Sequence, residues 1–161
     1  MVAAVENRVI DDETPEIRAR SVKTTAGAVE DISDRKIKQA NNAIVLWVDD
    51  IPNNNIYERR SLEALGVNFV IAVSIDIAIS EIKKRKFDVI ISDMGRPPDS
   101  MAGYTLLDSL RKSGNNTPFV IYASSRSPEH ISESRRRGAL GCTNRPDELF
   151  DYVLSAIGRG E

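Results

Sequence analysis

The sequence predicts an α/β fold in which helices cover both faces of a parallel sheet. Three observations carry that reading. Five short β-rich runs recur from residue 43 onward: 43-AIVLWV-48, 68-NFVIAV-73, 87-FDVIIS-92, 118-PFVIYA-123 and, more weakly, 140-LGCT-143. Several are continuously apolar rather than alternating, as expected of strands covered on both sides. Helical patterns lie between successive runs, and that alternation is the mark of a parallel sheet. With 161 residues, 41% hydrophobic and 29% charged, the chain can build one soluble domain with a real core and still carry an extension.

The elements follow in order. Residues 1–42 mix acids and bases, hold few large apolar residues and lack aromatics. They read as a polar tail or linker, in part helical. In 28-AVEDISDRKIKQA-40, Val29 and Ile32 share a side, although Ile37 falls off that stripe. A regular domain is expected over 43–158. Its first strand ends on Asp49 and Asp50, and Pro52 turns the chain toward a helix over 54–65. In 75-IDIAISEIKK-84, Ile75, Ala78, Ile79 and Ile82 form one stripe. Leu106, Leu107 and Leu110 do the same in 103–112, with Gly114 as the stop. Ser127 and Pro128 make an N-cap and first-turn pair for a helix over 128–137. Pro146 opens the last helix, and Asp147 and Glu148 suit its positive first turn. Leu149, Phe150, Val153, Leu154 and Ile157 supply its apolar face.

Several function classes fall away. A net charge of −2 does not suit a sequence-independent nucleic-acid binder, so no nucleic-acid partner is expected. The run 135-RRR-137 is flanked by Glu129 and Glu133 and reads as a solvated helix face. A single cysteine, Cys142, excludes an internal disulfide framework and fits a reducing compartment and a small buried role. Trp47 and Tyr122 read as core, and the sole histidine, His130, as exposed. No apolar run reaches membrane-spanning length, and the N-terminus lacks the apolar centre of a secretory signal. A cytoplasmic protein without a membrane partner is expected. Neither a dinucleotide fingerprint nor P-loop spacing is present.

The chemistry concentrates at two strand ends. Asp49 and Asp50 close the first strand, and Asp93 closes the third in 89-VIISDMG-95. Ligands of open α/β sheets sit beyond the carboxyl ends of the strands, where strand order reverses. If the order is 2-1-3-4-5, a known arrangement that this sequence does not itself derive, strands one and three are neighbours there. Three carboxylates then converge on one crevice. Hard oxygen ligands suit Mg²⁺, which would offset their mutual repulsion. A carboxylate beside such an ion can attack phosphorus to form an aspartyl phosphate.

Together, 44-IVLWVDDIPNN-54, 88-DVIISDM-94, Gly103, 138-GA-139 and 145-RP-146 resemble a response-regulator receiver domain of two-component signalling. The resemblance spans about 43–158 and implies a doubly wound, flavodoxin-like, five-stranded sheet of order 2-1-3-4-5. It implies that Asp93 accepts a phosphoryl group from a sensor histidine kinase or phosphotransfer protein. Asp49, Asp50 and Asp93, with the Gly95 carbonyl, would hold Mg²⁺. A face of the fourth helix, fifth strand and fifth helix would then answer to a downstream protein target, and a homodimer is compatible with it. No enzyme is implied beyond Mg²⁺-dependent self-phosphorylation and dephosphorylation.

Departures from the family pattern cluster on the cationic side. Counting five from Pro118 puts the usual hydroxyl position on Ala123, which has none; a shift of one puts it on Ser124, the favoured reading. The usual lysine is Arg145, with Asn144 as a neighbouring candidate. The aromatic switch position falls on Cys142, and 95-GRPPDSMAG-103 is about two residues longer than the common loop, stiffened by Pro97 and Pro98. These departures leave a second reading open: a pseudo-receiver that keeps the fold as a protein–protein interaction module. No output domain fits after residue 158, so the chain is expected to act alone or as one piece of a larger protein.

Overall fold

Each apolar run becomes a strand because a helix follows it and buries one of its two faces. The computed structural model describes residue 38 and residues 40–95 and 99–159. Most of the expected 1–42 tail, with its helix over 28–40, lies outside the described residues. The strands are β1 (Ile44–Val48), β2 (Asn68–Ala72), β3 (Val89–Ser92), β4 (Phe119–Tyr122) and β5 (Gly141–Thr143). The helices are α1 (Ile56–Glu63), α2 (Ile75–Lys84), α3 (Ala102–Lys112), α4 (Pro128–Arg136) and α5 (Pro146–Arg159).

The five strands form one sheet in the order β2-β1-β3-β4-β5, and every pairing is parallel. The flavodoxin-like α/β expectation therefore holds. One local difference precedes α1. Pro52–Asn55 is a 3-10 turn rather than the start of the expected helix. Pro52 lacks an N–H and Ile51 offers no capping side chain, so the chain tightens before a regular helix can propagate.

Side chains alternate between two cores. Leu46, Val48, Ile90, Phe119, Ile121 and Cys142 face one core, against Ala78 of α2 and Leu106, Leu107 and Leu110 of α3. Val45, Trp47, Val89, Ile91 and Val120 face the other, against Leu62 of α1 and Leu149, Val153, Ala156 and Ile157 of α5. Ala40 is fully buried in this second core, and Asn42 takes a left-handed φ of 70° as the chain turns into β1. The predicted cap forms, the Ser127 hydroxyl accepting from His130 N–H, and the Ser74 hydroxyl, which the sequence reading did not single out, accepts from Ile77 N–H.

Leu106 is completely buried beneath the sheet. Leu106→Ala is expected to cost about 2–5 kcal/mol through lost transfer energy and a residual cavity. Urea unfolding followed by Trp47 emission measures it; a cost below about 1 kcal/mol would contradict this packing.

Candidate functional site

The register carries the acidic residues to one place. Val48 pairs with Ser92, so Asp49 and Asp93 each lie one residue beyond neighbouring strand ends. The ladder continues into the site, with Asp93 N–H donating to Val48 O at 3.0 Å and Asp49 N–H to Ala72 O at 2.9 Å. Carboxylate oxygens of Asp49, Asp50 and Asp93 all lie within 4.8 Å of one another.

The three carboxylates are not equivalent. Asp49 is only 5% exposed. Its carboxylate accepts from Ile51 N–H at 2.9 Å, from Asn55 Nδ2 at 3.1 Å and from the Trp47 indole N–H at 3.2 Å. Those donors offset a charge that burial strips of water. Asp50 is exposed and Asp93 half-buried. The donor set fits Mg²⁺: hard oxygens only, with two sides still open to water.

Two glycines keep the crevice tight. A Cβ on Gly103 would stand 2.6 Å from the Asp93 carbonyl oxygen, and one on Gly95 would stand 2.8 Å from Ser100 O. Gly103 N–H also donates to Met94 O at 2.7 Å, tying the start of α3 to the end of β3. Asp99 braces the start of that helix, accepting from Met101 N–H at 2.9 Å and from the Thr105 hydroxyl at 2.7 Å. Pro97 and Pro98 of the long loop lie outside the described residues.

The other expected contributors sit at the ends of β4 and β5. Ala123 N–H donates to Thr143 O, so the β4–β5 ladder runs through Ala123. Ala123, half-buried, packs against the first core. Ser124 follows as an exposed residue whose carbonyl accepts from Asn144 Nδ2 at 3.2 Å. Arg145 forks onto Asp147, Nε to Oδ1 at 3.1 Å and Nη2 to Oδ2 at 2.8 Å, and holds that carboxyl below its usual range. Arg126 forks onto Glu148, which also accepts from the Thr143 hydroxyl. The two donors, Arg126 first, lower the Glu148 carboxyl in turn.

Cys142 is buried, its thiol donates to Ser125 O at 3.2 Å, and burial pushes its pKa up. It shares a core with Tyr104, whose ring lies 4.3 Å beneath the Arg137 guanidinium. Among the described residues the Tyr104 hydroxyl is the one buried side-chain polar atom lacking a hydrogen-bond partner. The arginine run is more than a solvated face. Arg136 and Arg137 share Glu133 and hold it down to about 2, Arg137 also reaches Asp108, and Arg135 donates to Leu140 O.

Sequence reading missed the clamp on Asp49. Asn55 stood in view, six residues on in the run of asparagines, but only the 3-10 turn folds it back. It also took Trp47 as plain core: Trp47 is buried, yet its indole N–H serves the site.

A family model described as the response regulator receiver domain matches residues 45–153. The receiver domain of the Francisella response regulator 1452 superposes with a TM-score of 0.67 at 28% identity, covering 74% of this chain and all of that one. The Vibrio cholerae chemotaxis response regulator CheY4 does so at 0.61 and 27%, covering 72% and 99%. A curated relative, the sensor histidine kinase AruS of Pseudomonas aeruginosa, is 29% identical over 118 residues; the match takes in 71% of this chain and only 12% of that protein. Among the described residues, no helix is long and apolar enough to cross a membrane.

Two expectations follow. Because Trp47 is the only tryptophan and touches Asp49, Mg²⁺ is expected to change its emission saturably. Asp49→Asn should weaken that response at least tenfold, and an unchanged titration in the variant would contradict the site. Gly103→Ala should cost roughly 1–3 kcal/mol in unfolding experiments by forcing α3 away from the Asp93 carbonyl.

Proposed function

We propose, from the premise that this chain belongs to the response regulator receiver domain family, that Asp93 is its phosphoryl acceptor. The observation that carries the reading is the convergence of Asp49, Asp50 and Asp93 at the ends of neighbouring strands. The donor is the phosphohistidine of a sensor kinase or phosphotransfer protein. A carboxylate oxygen of Asp93 attacks phosphorus, the P–N bond breaks, and the imidazole leaves with the electron pair and takes up a proton. Asp49, Asp50 and the Gly95 carbonyl join Asp93 in holding Mg²⁺. When bound, that ion supplies neutralising charge to the phosphoryl oxygens. Asp49, fixed by its three donors, sets the crevice before the donor arrives.

The cationic side is where this chain does its own work. Arg145 is the candidate phosphoryl ligand, and it must first release Asp147. Ser124 is the candidate hydroxyl, and it must turn inward from an exposed position. Phosphorylation on this reading switches a protein-binding face. Catalysis is confined to the chain's own phosphorylation and its reversal.

A specific observation favours a second reading. The ladder carries Ala123, which has no hydroxyl, to the end of β4, and Arg145 is already engaged. A pseudo-receiver, acting as an interaction module without phosphorylation, would look like this.

Incubation with acetyl phosphate or phosphoramidate and Mg²⁺, followed by intact mass, separates them. The acceptor reading expects a gain of one phosphoryl group that Asp93→Asn abolishes. No adduct from either reagent, nor from a phosphorylated histidine phosphotransfer protein, selects the pseudo-receiver.

A further inference from the structure

The two edges of the sheet are treated differently. β5, at one edge, has only three residues, and the guanidinium of Arg135 donates to the carbonyl of Leu140 just before it. Asn144 and Arg145 follow it directly. A short strand flanked by charge is a guarded edge. β2, at the other edge, runs for five residues, NFVIA, without a charge or a proline.

Among the described residues β2 pairs with β1 alone. The ladder bonds fix which groups point inward. Asn68 N–H donates to Ala43 O, and Ala72 O accepts from Asp49 N–H. By the alternation of a parallel ladder, the backbone groups of Phe69, Ile71 and Val73 therefore point outward. The same stretch is unusually apolar for a surface: Ile71 is 42% exposed and Val73 45%, and Ile77 in the first turn of α2 is 42% exposed.

We propose that this edge is a homodimer interface, in which β2 of one chain pairs antiparallel with β2 of a second copy. Antiparallel pairing is two-fold symmetric, so one self-complementary strip suffices. With Ile71 opposite Ile71, Phe69 of each chain meets Val73 of the other, and the outward N–H and C=O groups bond in reciprocal pairs. A stable dimer buries about 1,200–2,000 Å², more than two such strands offer, so the contact must extend to the flanking helices.

The charges of α2 argue for a second copy as the occupant. α2 packs on β2 and β1. It carries Asp76 in its first turn and Lys83 and Lys84 in its last. A two-fold axis normal to the sheet sets the two α2 helices side by side and antiparallel on one face. Asp76 of each chain then faces the lysine end of the other. The product is one continuous ten-stranded sheet with its two carboxylate sites at opposite ends, both open to a donor. The inference does not depend on phosphorylation.

The test is the mass of the full-length chain in solution by light scattering and sedimentation, over a range of concentrations. The unmodified protein is expected at the mass of two chains, and Ile71→Lys, a charge on the outer row, at the mass of one with an unchanged circular dichroism spectrum. Asp76→Lys and Lys84→Glu should each weaken the dimer several-fold, and the double exchange should restore it. Hydrogen exchange supplies a second readout: the amides of Phe69, Ile71 and Val73 should be protected in the dimer and lose that protection on dilution. A chain that stays monomeric throughout, whether its edge is covered by residues 1–37 or left bare, overturns the proposal. So does a dimer that survives Ile71→Lys or leaves those three amides unprotected.

Discussion

The geometry of this domain depends on placing three like charges at the ends of two adjacent parallel strands. The parallel order that sets β1 beside β3 leaves Asp49 and Asp93 one residue past the last paired position of each. A buried carboxylate without donors is costly, and charge-assisted hydrogen bonds contribute roughly 1.5–3 kcal/mol each. Asp49 accepts three, and the turn at Pro52–Asn55 exists in a form that delivers two of them, Ile51 N–H and Asn55 Nδ2. Asp50 and Asp93 are the two more exposed members, and the three like charges still repel one another. A divalent ion held there would relieve that repulsion.

Much of this was legible before any coordinates. Several strands were readable because their runs are continuously apolar, the pattern expected of a sheet covered on both faces. The helix stripes were readable because Ala78, Leu106 and Leu149 repeat at helical spacing with their neighbours, and all three are fully buried. The acidic cluster was readable once strand order was granted, since strand-end residues inherit their neighbours from that order. Less local facts were hidden. Nothing in the spacing of Asn55 says that a 3-10 turn folds it under Asp49. The burial of Tyr104, 3% exposed, was one of them. Its burial follows from the space between α3, α4 and β5, which a stripe of leucines cannot specify. The partners of 135-RRR-137 were hidden for a similar reason, because Asp108 and Tyr152 belong to other helices.

The relation between Cys142 and Tyr104 shows how the core absorbs an unusual residue. A small thiol at β5 leaves volume that a larger side chain would fill. Tyr104 lies in that same core, its ring capped by Arg137 and its hydroxyl unpaired. An unpaired buried hydroxyl costs about 1–3 kcal/mol. The burial of the ring, together with the stacked guanidinium, offsets that cost. The arrangement is therefore held by apolar packing rather than by a polar network, and any state that offers the hydroxyl an acceptor competes with it on favourable terms.

The cationic side follows a different logic from the acidic one. Asp49 is fixed by bonds made in a buried place, whereas Arg145 is held by one exposed carboxylate. Side-chain exposures of 53% for Arg145 and 67% for Asp147 make that a surface ion pair, weakened by solvent screening. A phosphoryl group carries more charge than a carboxylate and presents its oxygens to the same planar fork. On the proposed acceptor reading, Arg145 would exchange Asp147 for the phosphoryl group and leave Asp147 to water. Glu148 behaves otherwise. It is bound by both Arg126 and Thr143, which ties the β4–α4 loop to the first turn of α5. Of the two adjacent acids at the start of α5, Asp147 is thus held through one exposed arginine and Glu148 through two separate donors.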